Sequence, residues 1–421
     1  MICRGNSPIP IPISEMALET PTWLNLCFME KALRKSENDN SIQVIDIFTK
    51  PATNKGDNYT SDMIRVNVEY SRDQNGRKTT EKKSVIVKIT PIIEGVRQDL
   101  IMKSRIFITE ILMMTDTLNK MNDLLEPKYR LSGKGMYVQH DNPTLLVIED
   151  LAPLGYRMAC RQTGLDLSHC ILALRGLARF HATSVALCEK EPKQKQMYSR
   201  GMFNIEHPPE MGGFFILGTT QLAKEMENWP GMKKYAEKIA KLADKIYQIG
   251  IEACKVSEDE FNVINHGDCW VNNMLFKYND DGEPINHIFV DFQLCVYTSP
   301  AIDLLYFFST SPSPDVIENK RDILFNEYMS TLSATMKQLN CKTQPPTLEE
   351  LKATLRQRAA YGMISSFTVL PLVMADKSEI KDLDEILDKD GYTNPAYKNE
   401  IYQKIMMKRI PMYDEWGLLD L

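Results

Sequence analysis

Hydrophobic residues in the first third of the chain recur mainly with a period of two, which is typical of β-strands. The segments 41–48 (SIQVIDIF), 63–70 (MIRVNVEY) and 84–90 (SVIVKIT) are rich in β-branched residues. An Asn75-Gly76 pair between the last two is typical of a tight hairpin turn. Two more strands are predicted at 135–139 and 144–150. The pattern therefore predicts a small antiparallel sheet.

Two helices are predicted to accompany this sheet. The first should run from Thr20, as N-cap, and Pro21, as first helical residue, to about Ser36. The segment 101–125 predicts the second helix, which places Glu110 beside an apolar face formed by Phe107, Ile111 and Met114. Because one helix packs on a small sheet, we expect this part of the chain to form one lobe.

After residue 150 the hydrophobic period becomes that of α-helices. Ser168 is predicted to cap a helix whose buried side contains Ile171, Leu174, Leu177 and Ala178. Further helices are predicted near 220–255, 315–340, 347–376 and 396–408, with a strand at 287–294. The predicted fold class is α+β, with a β-rich N-terminal lobe (1–150) and a larger helical lobe (151–421).

Composition supports an ordinary globular protein with two lobes. A chain of 421 residues exceeds the size of one core, and 43% apolar residues suffice for two. The net charge of −6 without a basic tract argues against a nucleic-acid partner. Nine cysteines without a CxxC pair favour reduced thiols and a cytoplasmic location.

The termini and hydropathy suggest neither export nor membrane insertion. The first 20 residues contain prolines and acids in place of a sustained apolar stretch, so no signal peptide is predicted. No uninterrupted apolar run approaches the roughly 18 residues that span a bilayer. We expect the first 18 or so residues to be a loosely held arm, and no obligate protein partner is evident.

The segment 264–276 (INHGDCWVNNMLF) carries the strongest chemical signal. His266, Asp268 and Asn273 follow the order H-x-D-x-x-x-x-N, and Asp291 comes eighteen residues after the asparagine. Phosphoryl transfer needs a carboxylate that deprotonates the attacking hydroxyl, and oxygen ligands for Mg²⁺. Asp268 fits the first role, while Asn273 and Asp291 fit the second. A lone HxD is more often a capped loop, but the full pattern is hard to obtain by chance.

A kinase-like site also predicts a phosphate-binding pair upstream. Lys88 points to the opposite face of its strand from Val85, Val87 and Ile89. Such a lysine can reach phosphate oxygens, and Glu110 on the next helix can hold it by an ion pair. Taken separately, Lys88 is better explained as an edge-strand charge and Glu110 as a solvated helix residue. Their order ahead of the catalytic loop favours the functional interpretation.

Two further segments are candidates for nucleotide binding. The turn at 55–61 (KGDNYTS) lies where a glycine-rich loop is expected, and Gly56, Asn58 and Ser61 are its candidate phosphate contacts. An ordinary hairpin turn explains it about as well. The backbone of 149–151 (Glu149, Asp150 and Leu151) ends the last strand at the lobe boundary and is a candidate hinge for an adenine edge.

Other polar residues near these motifs fit structural roles. His181 is interpreted as a core or cap histidine. Cys269 and Cys295 are interpreted as small packing residues.

Six blocks in order resemble the ecdysteroid kinase-like family, which is related to choline and aminoglycoside phosphotransferases. They are KGDNYTS, VKITP, VIEDLAPLGY, LARFHATS, INHGDCWVNNMLF and VDFQLCVYTSPAIDL. The segment 361–376 resembles the family more weakly. The resemblance spans about 44–308. It implies a protein-kinase-like bilobal fold, ATP, Mg²⁺ and a small-molecule hydroxyl as acceptor.

Carried over by position, the resemblance implies roles for individual residues. Asp268 becomes the base, Asn273 and Asp291 the metal ligands, and Lys88 with Glu110 the phosphate-holding pair. The segment 149–151 becomes the hinge. Asp303 becomes the brace of the catalytic loop.

The sequence departs from protein kinases after Asp291. Gln293 stands where a glycine is expected, only twelve residues separate Asp291 from Asp303, and no APE-like segment follows. Such a span is too short for a peptide-binding activation loop, so we expect a small-molecule acceptor and no activation by phosphorylation.

Three functions stay open on the sequence alone. We favour phosphorylation of a steroid-like or other lipophilic alcohol bound between the catalytic loop and the helices after Ala301. A choline-, ethanolamine- or aminoglycoside-type amine is the first alternative, for which aromatic residues of the tail are candidates: Tyr392, Tyr397, Tyr413 and Trp416. An inactive binding protein is the second, although Lys88, Asp268, Asn273 and Asp291 are all present.

The segment 361–374 is the expected wall of the acceptor site. It is apolar on more than one side and contains Pro371, which should bend its helix. A buried core helix is the competing interpretation of Met363 and Phe367.

Overall fold

A five-stranded antiparallel sheet forms the N-terminal part of the computed structural model, which describes residues 20–53, 60–91, 95–376 and 394–420. Its strands lie in the order β1-β2-β3-β5-β4. They are β1 (Gln43–Pro51), β2 (Asp62–Gln74), β3 (Arg77–Ile89), β4 (Gly135–Gln139) and β5 (Leu145–Glu149). Asn75 and Gly76 close the β2–β3 hairpin with φ of 52° and 78°, as the turn chemistry predicts.

Helix α1 (Leu26–Glu37) covers one face of this sheet. Its buried Met29, Ala32 and Leu33 pack on alternate residues of β2 and β3. The predicted cap at Thr20 and Pro21 is wrong. Asn25 is the N-cap, since its side chain accepts from the Phe28 N–H, while the Thr20 hydroxyl bonds the Thr49 hydroxyl.

The single helix predicted at 101–125 is in fact a broken one. Its parts are α2 (Val96–Ser104), α3 (Ile106–Leu112), a π-helical turn (Met113–Thr117) and α4 (Leu118–Leu124). Arg105, at φ 59°, separates α2 from α3. The Met114 carbonyl in the π turn approaches Gly135 so closely that a Cβ there would lie 2.6 Å from its oxygen. Glycine therefore lets β4 pack against the helix that carries Glu110.

The C-terminal lobe is mainly helical, as predicted, but several predicted helices are divided. The helix predicted to follow Ser168 is α5 (Leu167–Lys190), and its predicted N-cap is wrong. Asp166, and not Ser168, accepts the His169 N–H at 3.0 Å. The other helices are α6 (Gln194–Met197), α7 (Gly213–Met226), α8 (Lys233–Leu242), α9 (Ile246–Cys254), α10 (Ala301–Thr310), α11 (Pro314–Asn319), α12 (Arg321–Gln338), α13 (Leu348–Gln357), α14 (Ala359–Thr368), α15 (Leu370–Met374) and α16 (Glu400–Glu415).

Five short strands of this lobe frame the predicted catalytic loop. β6 (Tyr156–Met158), β8 (Met274–Tyr278) and β9 (Pro284–Phe289) form one sheet, and β7 (Val263–Asn265) pairs with β10 (Val296–Thr298). The strand predicted at 287–294 ends at Phe289. Asp291 lies beyond it at φ 67°, a left-handed conformation that cannot continue a strand.

Burial assigns several sequence features to the core. Met363 and Phe367 on α14 are fully buried and belong to the main hydrophobic cluster, which favours a core helix over a wall of the acceptor site. Among the described residues, α5 alone is long and apolar enough to cross a membrane, but 72% of its apolar stretch is buried within the fold. Among the residues that the structure describes, no two cysteines form a disulfide.

Candidate active site

The loop between β7 and β8 is held by one buried carboxylate on α10. Asp303 accepts the His266 N–H at 2.7 Å and the Gly267 N–H at 2.8 Å. Gly267 has φ +81°, and a Cβ there would lie 1.8 Å from the Leu294 carbonyl oxygen. Only glycine fits this crossing, so the loop is fixed from two sides.

Asp268 sits in this loop with both carboxylate oxygens hydrogen-bonded. The Tyr306 hydroxyl donates to Oδ1 at 2.7 Å, and Asn273 Nδ2 donates to Oδ2 at 2.8 Å. Asn273 Nδ2 also donates to the Asp268 carbonyl at 3.0 Å. These bonds orient the carboxylate, while each oxygen retains a lone pair for another donor.

The environment of Asp268 raises its pKa to about 7. Burial is the main cause, and the charge of Asp291 adds to it, because both disfavour the carboxylate form. The hydrogen bonds from Tyr306 and Asn273 act in the opposite direction. The group therefore titrates near neutrality, where a general base is most effective.

The His266 ring holds the loop through contacts with the backbone. Nε2 lies 3.0 Å from the Val290 carbonyl oxygen, and Nδ1 lies 3.3 Å from the Asp268 backbone nitrogen. These contacts fit a neutral ring protonated on Nε2, and burial lowers its pKa. These contacts support a positioning role for His266, and its assignment to the catalytic residues stays a prediction.

Lys88, Glu110 and Asp291 meet in a buried cluster. Lys88 Nζ lies 2.7 Å from Glu110 Oε2 and 2.9 Å from Asp291 Oδ1. Burial alone would lower the pKa of Lys88, but the charges of Asp291 and Glu110 outweigh it and raise that pKa. The lysine therefore stays charged and links the five-stranded sheet to the segment that follows β9.

Asn273 and Asp291 offer oxygen atoms that fit a divalent metal. Because Asn273 Nδ2 donates to Asp268, its Oδ1 is left as the group that can bind a cation. Asp291 uses Oδ1 for Lys88, which leaves Oδ2. Within the described ranges no three His, Cys, Asp or Glu side chains form a complete metal cage. Two protein oxygens suit Mg²⁺, which takes its remaining ligands from phosphates and water.

The candidate phosphate-covering turn lies only partly within the described residues. Gly56 and Asn58 fall outside them, and Ser61 is buried at the start of β2. Next to it, the Thr60 hydroxyl donates to Gln293 Oε1 at 2.9 Å. Gln293, which replaces the glycine of protein kinases, thus links the turn region to the segment after Asp291.

Part of the backbone of the candidate hinge is already hydrogen-bonded. The Glu149 N–H donates to the Lys134 carbonyl at 2.9 Å, and the Leu151 carbonyl accepts from Leu154 at 3.1 Å. Asp150 pairs with Arg65 at 2.7 Å. These bonds restrict the predicted adenine contact to the remaining backbone groups of 149–151.

Tyr306 is a site residue that the sequence motifs did not indicate. Asp303 and Tyr306 lie three residues apart, so they share one face of α10, and that face points at the catalytic loop. The three-residue spacing from Asp303 was the feature of the sequence that could have indicated Tyr306. His181 is a core histidine, as predicted, and its ring contacts Asp303 at 3.0 Å and Tyr328 at 2.8 Å.

Fold and site together define a small-molecule kinase with a protein-kinase-like layout: an antiparallel sheet above helices, a buried lysine–glutamate pair, and an H-x-D-x-x-x-x-N loop. A family model described as the ecdysteroid kinase-like family matches residues 55–341. The chain belongs to this family, which confirms the resemblance carried by the sequence motifs. A search of the curated proteins found no match.

Solved structures similar to the chain are distant in sequence. A choline/ethanolamine kinase family protein from Mesorhizobium loti is 11% identical over 84% of this chain and 87% of that chain, with a TM-score of 0.38. An ethanolamine kinase from Plasmodium vivax is 13% identical over 79% and 83%, with a TM-score of 0.32. An amicoumacin kinase in complex with AMP-PNP, Ca²⁺ and its ligand Ami is 16% identical over 80% and 86%, with a TM-score of 0.35.

Proposed function

We propose that this protein transfers the γ-phosphoryl group of ATP to a hydroxyl of a small lipophilic metabolite of the steroid-like class. The observation that carries the proposal is the meeting of a buried lysine and Asp291 at 2.9 Å with an oriented carboxylate, Asp268, on the adjoining loop. This is the set of groups that phosphoryl transfer requires.

Asp268 acts as the base in this proposal. It accepts the proton of the acceptor hydroxyl as the new bond forms between that oxygen and the γ-phosphorus. The bond from the γ-phosphorus to the β–γ bridging oxygen breaks, and ADP leaves with the electron pair. The proton on Asp268 then passes to solvent.

Lys88 and the metal ligands hold the phosphates. Lys88 stays charged between Glu110 and Asp291, so it can donate to phosphate oxygens without moving its backbone. Asn273 Oδ1 and the second Asp291 oxygen would bind Mg²⁺, which when bound offsets the negative charge of the transferred group.

The amine alternative loses its proposed aromatic lining. Tyr397 and Tyr413 are buried, and their hydroxyls bond the Phe367 carbonyl and the Ser366 hydroxyl. Trp416 already stacks against Arg356, whose guanidinium lies 3.8 Å from the ring centroid. Tyr392 lies outside the described residues. These contacts support an acceptor recognised by apolar surface more than by an aromatic cage.

The span after Asp291 also supports a small acceptor. Part of it forms β10, which pairs with β7 directly beneath the catalytic loop. A segment used in this way offers no platform for a peptide substrate.

The proposal is tested by a labelled-phosphate screen. The purified chain is incubated with γ-labelled ATP and Mg²⁺ and with three panels: polyhydroxylated steroids, choline and ethanolamine, and aminoglycosides. Phosphorylated products are identified by mass. Labelling confined to the steroid panel supports the proposal, and labelling confined to an amine panel contradicts the acceptor class.

Asp268→Asn and Asp281→Asn provide the matched pair of variants. Asp268→Asn should retain ATP binding and lose about 10²–10⁴ in turnover, because the amide cannot accept the proton. Asp281→Asn makes the same change in an exposed turn and should behave as wild type. Unchanged turnover in Asp268→Asn would remove Asp268 as the base.

A further inference from the structure

A cleft of about 470 Å³ opens in the C-terminal lobe, away from the catalytic loop. It lies between the last turn of α10, the start of α12, and helices α15 and α16, with 161–164 along one side. Its described lining residues include none of those assigned to the base, the phosphates or the metal, and Leu370, Val373 and Met374 belong to the segment 361–374 that was expected to line the acceptor site. A ligand bound in this cleft would therefore contact none of the residues assigned to nucleotide binding.

The cleft is strongly basic. Arg161, Arg321, Lys408 and Arg409 line it, and Glu318 is the acid among the described lining residues. Glu318 is already paired with Lys408, whose Nζ lies 2.5 Å from its Oε1. In the part of the chain that the structure describes, no carboxylate is ion-paired with the three arginines.

Arg161 gives the strongest indication of a missing anion. It is only 5% exposed, and its Nη1 donates to the carbonyls of Leu372 and Val373. Its Nε and Nη2 are buried and have no hydrogen-bond acceptor. Buried guanidinium groups are normally paired, because an uncompensated buried charge and unsatisfied N–H groups are unfavourable. An anion in the cleft would supply both the charge and the acceptors.

The other two arginines line the same cleft. Arg409 Nη1 bonds the Ser309 carbonyl at 2.8 Å and the Ser366 hydroxyl at 2.9 Å, which fixes its guanidinium. The Arg321 guanidinium lies 5.5 Å from the ring centroids of both Phe308 and Phe325. Planar guanidinium groups bind carboxylate, sulfate and phosphate through paired N–H donors.

The rest of the wall is apolar. Leu370 and Val373 are buried, Ile405 and Met412 are half-buried, and Ile401 is 50% exposed. A free inorganic anion would leave this apolar surface uncovered. A purely apolar molecule would leave the arginines without a counter-ion.

We propose that this cleft binds an amphiphilic anion, a small molecule with one carboxylate, sulfate or phosphate head and an apolar body. The head contacts the guanidinium groups of Arg161, Arg321 and Arg409. The body covers the apolar side chains of α15 and α16. The site is separate from the phosphotransfer site and can be occupied with or without nucleotide.

Calorimetric titration of the full chain tests the proposal with four probes: decyl phosphate, decanoate, decanol and inorganic phosphate. Decyl phosphate and decanoate should bind at one saturable site, at least tenfold more tightly than decanol or inorganic phosphate. Saturation with AMP-PNP and Mg²⁺ should leave this binding unchanged. Equal affinity for decanol would show that charge is not used, and loss of binding on adding nucleotide would place the probe in the phosphotransfer site. Either result would overturn the proposal.

Arg321→Gln and Arg161→Gln are the informative variants, with Arg175→Gln as control. Each of the first two should weaken decyl phosphate binding at least tenfold. Arg175 is paired with Glu327 outside the cleft, so its loss should have no effect. Because Arg161 also bonds two carbonyls, circular dichroism must show that its variant is folded, and Arg321→Gln decides if it is not. Unchanged affinity in folded Arg321→Gln would refute the assignment.

Discussion

The hydroxyl of Tyr306 tunes the proposed base, and replacing it with phenylalanine gives a quantitative test. Tyr306→Phe removes the 2.7 Å hydrogen bond to Asp268 Oδ1 and keeps the ring. A hydrogen bond to a charged group contributes about 1.5–3 kcal/mol. Since this bond favours the carboxylate over the neutral acid, its loss should raise the pKa of Asp268, by roughly 1–2 pH units at about 1.4 kcal/mol per unit.

The assay is the pH dependence of Mg·ATP hydrolysis in the absence of acceptor. A base must be deprotonated to act, so the rate of the wild-type protein should rise with pH, and the free protein titrates near the Asp268 pKa of about 7. In Tyr306→Phe the rising part of the pH–rate profile should move to higher pH, and the plateau rate should be less affected.

Tyr361→Phe is the matched control. Tyr361 is also buried, and its ring centroid lies 6.2 Å from that of Tyr306, but its hydroxyl makes no hydrogen bond to Asp268 within the described residues. Its pH profile should coincide with that of the wild type. If Tyr306→Phe lowered the rate at every pH without moving the rising part of the pH–rate profile, the Tyr306 hydroxyl would have a structural role and would not set the pKa of Asp268.

Three further substitutions test the metal, the core helix and the loop. Asp291→Ala should weaken Mg²⁺-dependent nucleotide binding, measured by thermal shift across a series of Mg²⁺ concentrations, and a higher Mg²⁺ concentration should restore part of that binding. An unchanged Mg²⁺ dependence would show that Asp291 has a structural role. Phe367→Ala should lower the free energy of unfolding by about 3–5 kcal/mol in urea denaturation and reduce all activities together, whereas a selective loss of acceptor affinity would return Phe367 to the pocket wall. Gly267→Ala should yield folded protein with negligible turnover, or no folded protein, because its Cβ would lie 1.8 Å from the Leu294 carbonyl oxygen; a fully active variant would show that the loop can move there.

The sequence predicted best what depends on local period and spacing. Alternation in 63–70 and 84–90 predicted β2 and β3, and it also placed Lys88 on the face opposite Val85 and Val87. That face meets α3, where Lys88 pairs with Glu110. The order of the catalytic motif fixed which residues share a loop. These features can be predicted from the sequence because neighbouring residues determine them.

Features set by distant contacts were not predictable in this way. The cap of α5 is Asp166 because its side chain reaches the His169 N–H, although Ser168 is an equally good cap by residue type. The π turn at Met113–Thr117 packs against β4, where Met114 approaches Gly135, and no local pattern encodes this contact. The left-handed conformation of Arg105, which breaks the helix, is likewise not indicated by the apolar pattern. The burial of Met363 and Phe367 likewise depends on α7, α9 and α10 surrounding α14.

In the proposed mechanism, helix α10 connects the side on which the acceptor binds to the proposed base, Asp268. Asp303 at its start holds the loop backbone, and Tyr306 one turn later holds the Asp268 carboxylate. On its other side α10 packs against α14, where a Cβ on Gly362 would lie 3.0 Å from the Ser309 hydroxyl. An acceptor that enters from the helical side must donate its proton to a carboxylate already bonded by Tyr306 and Asn273. The acceptor hydroxyl therefore has to use a remaining lone pair of Asp268, and this requirement restricts its direction of approach before any contact with the rest of the molecule is considered.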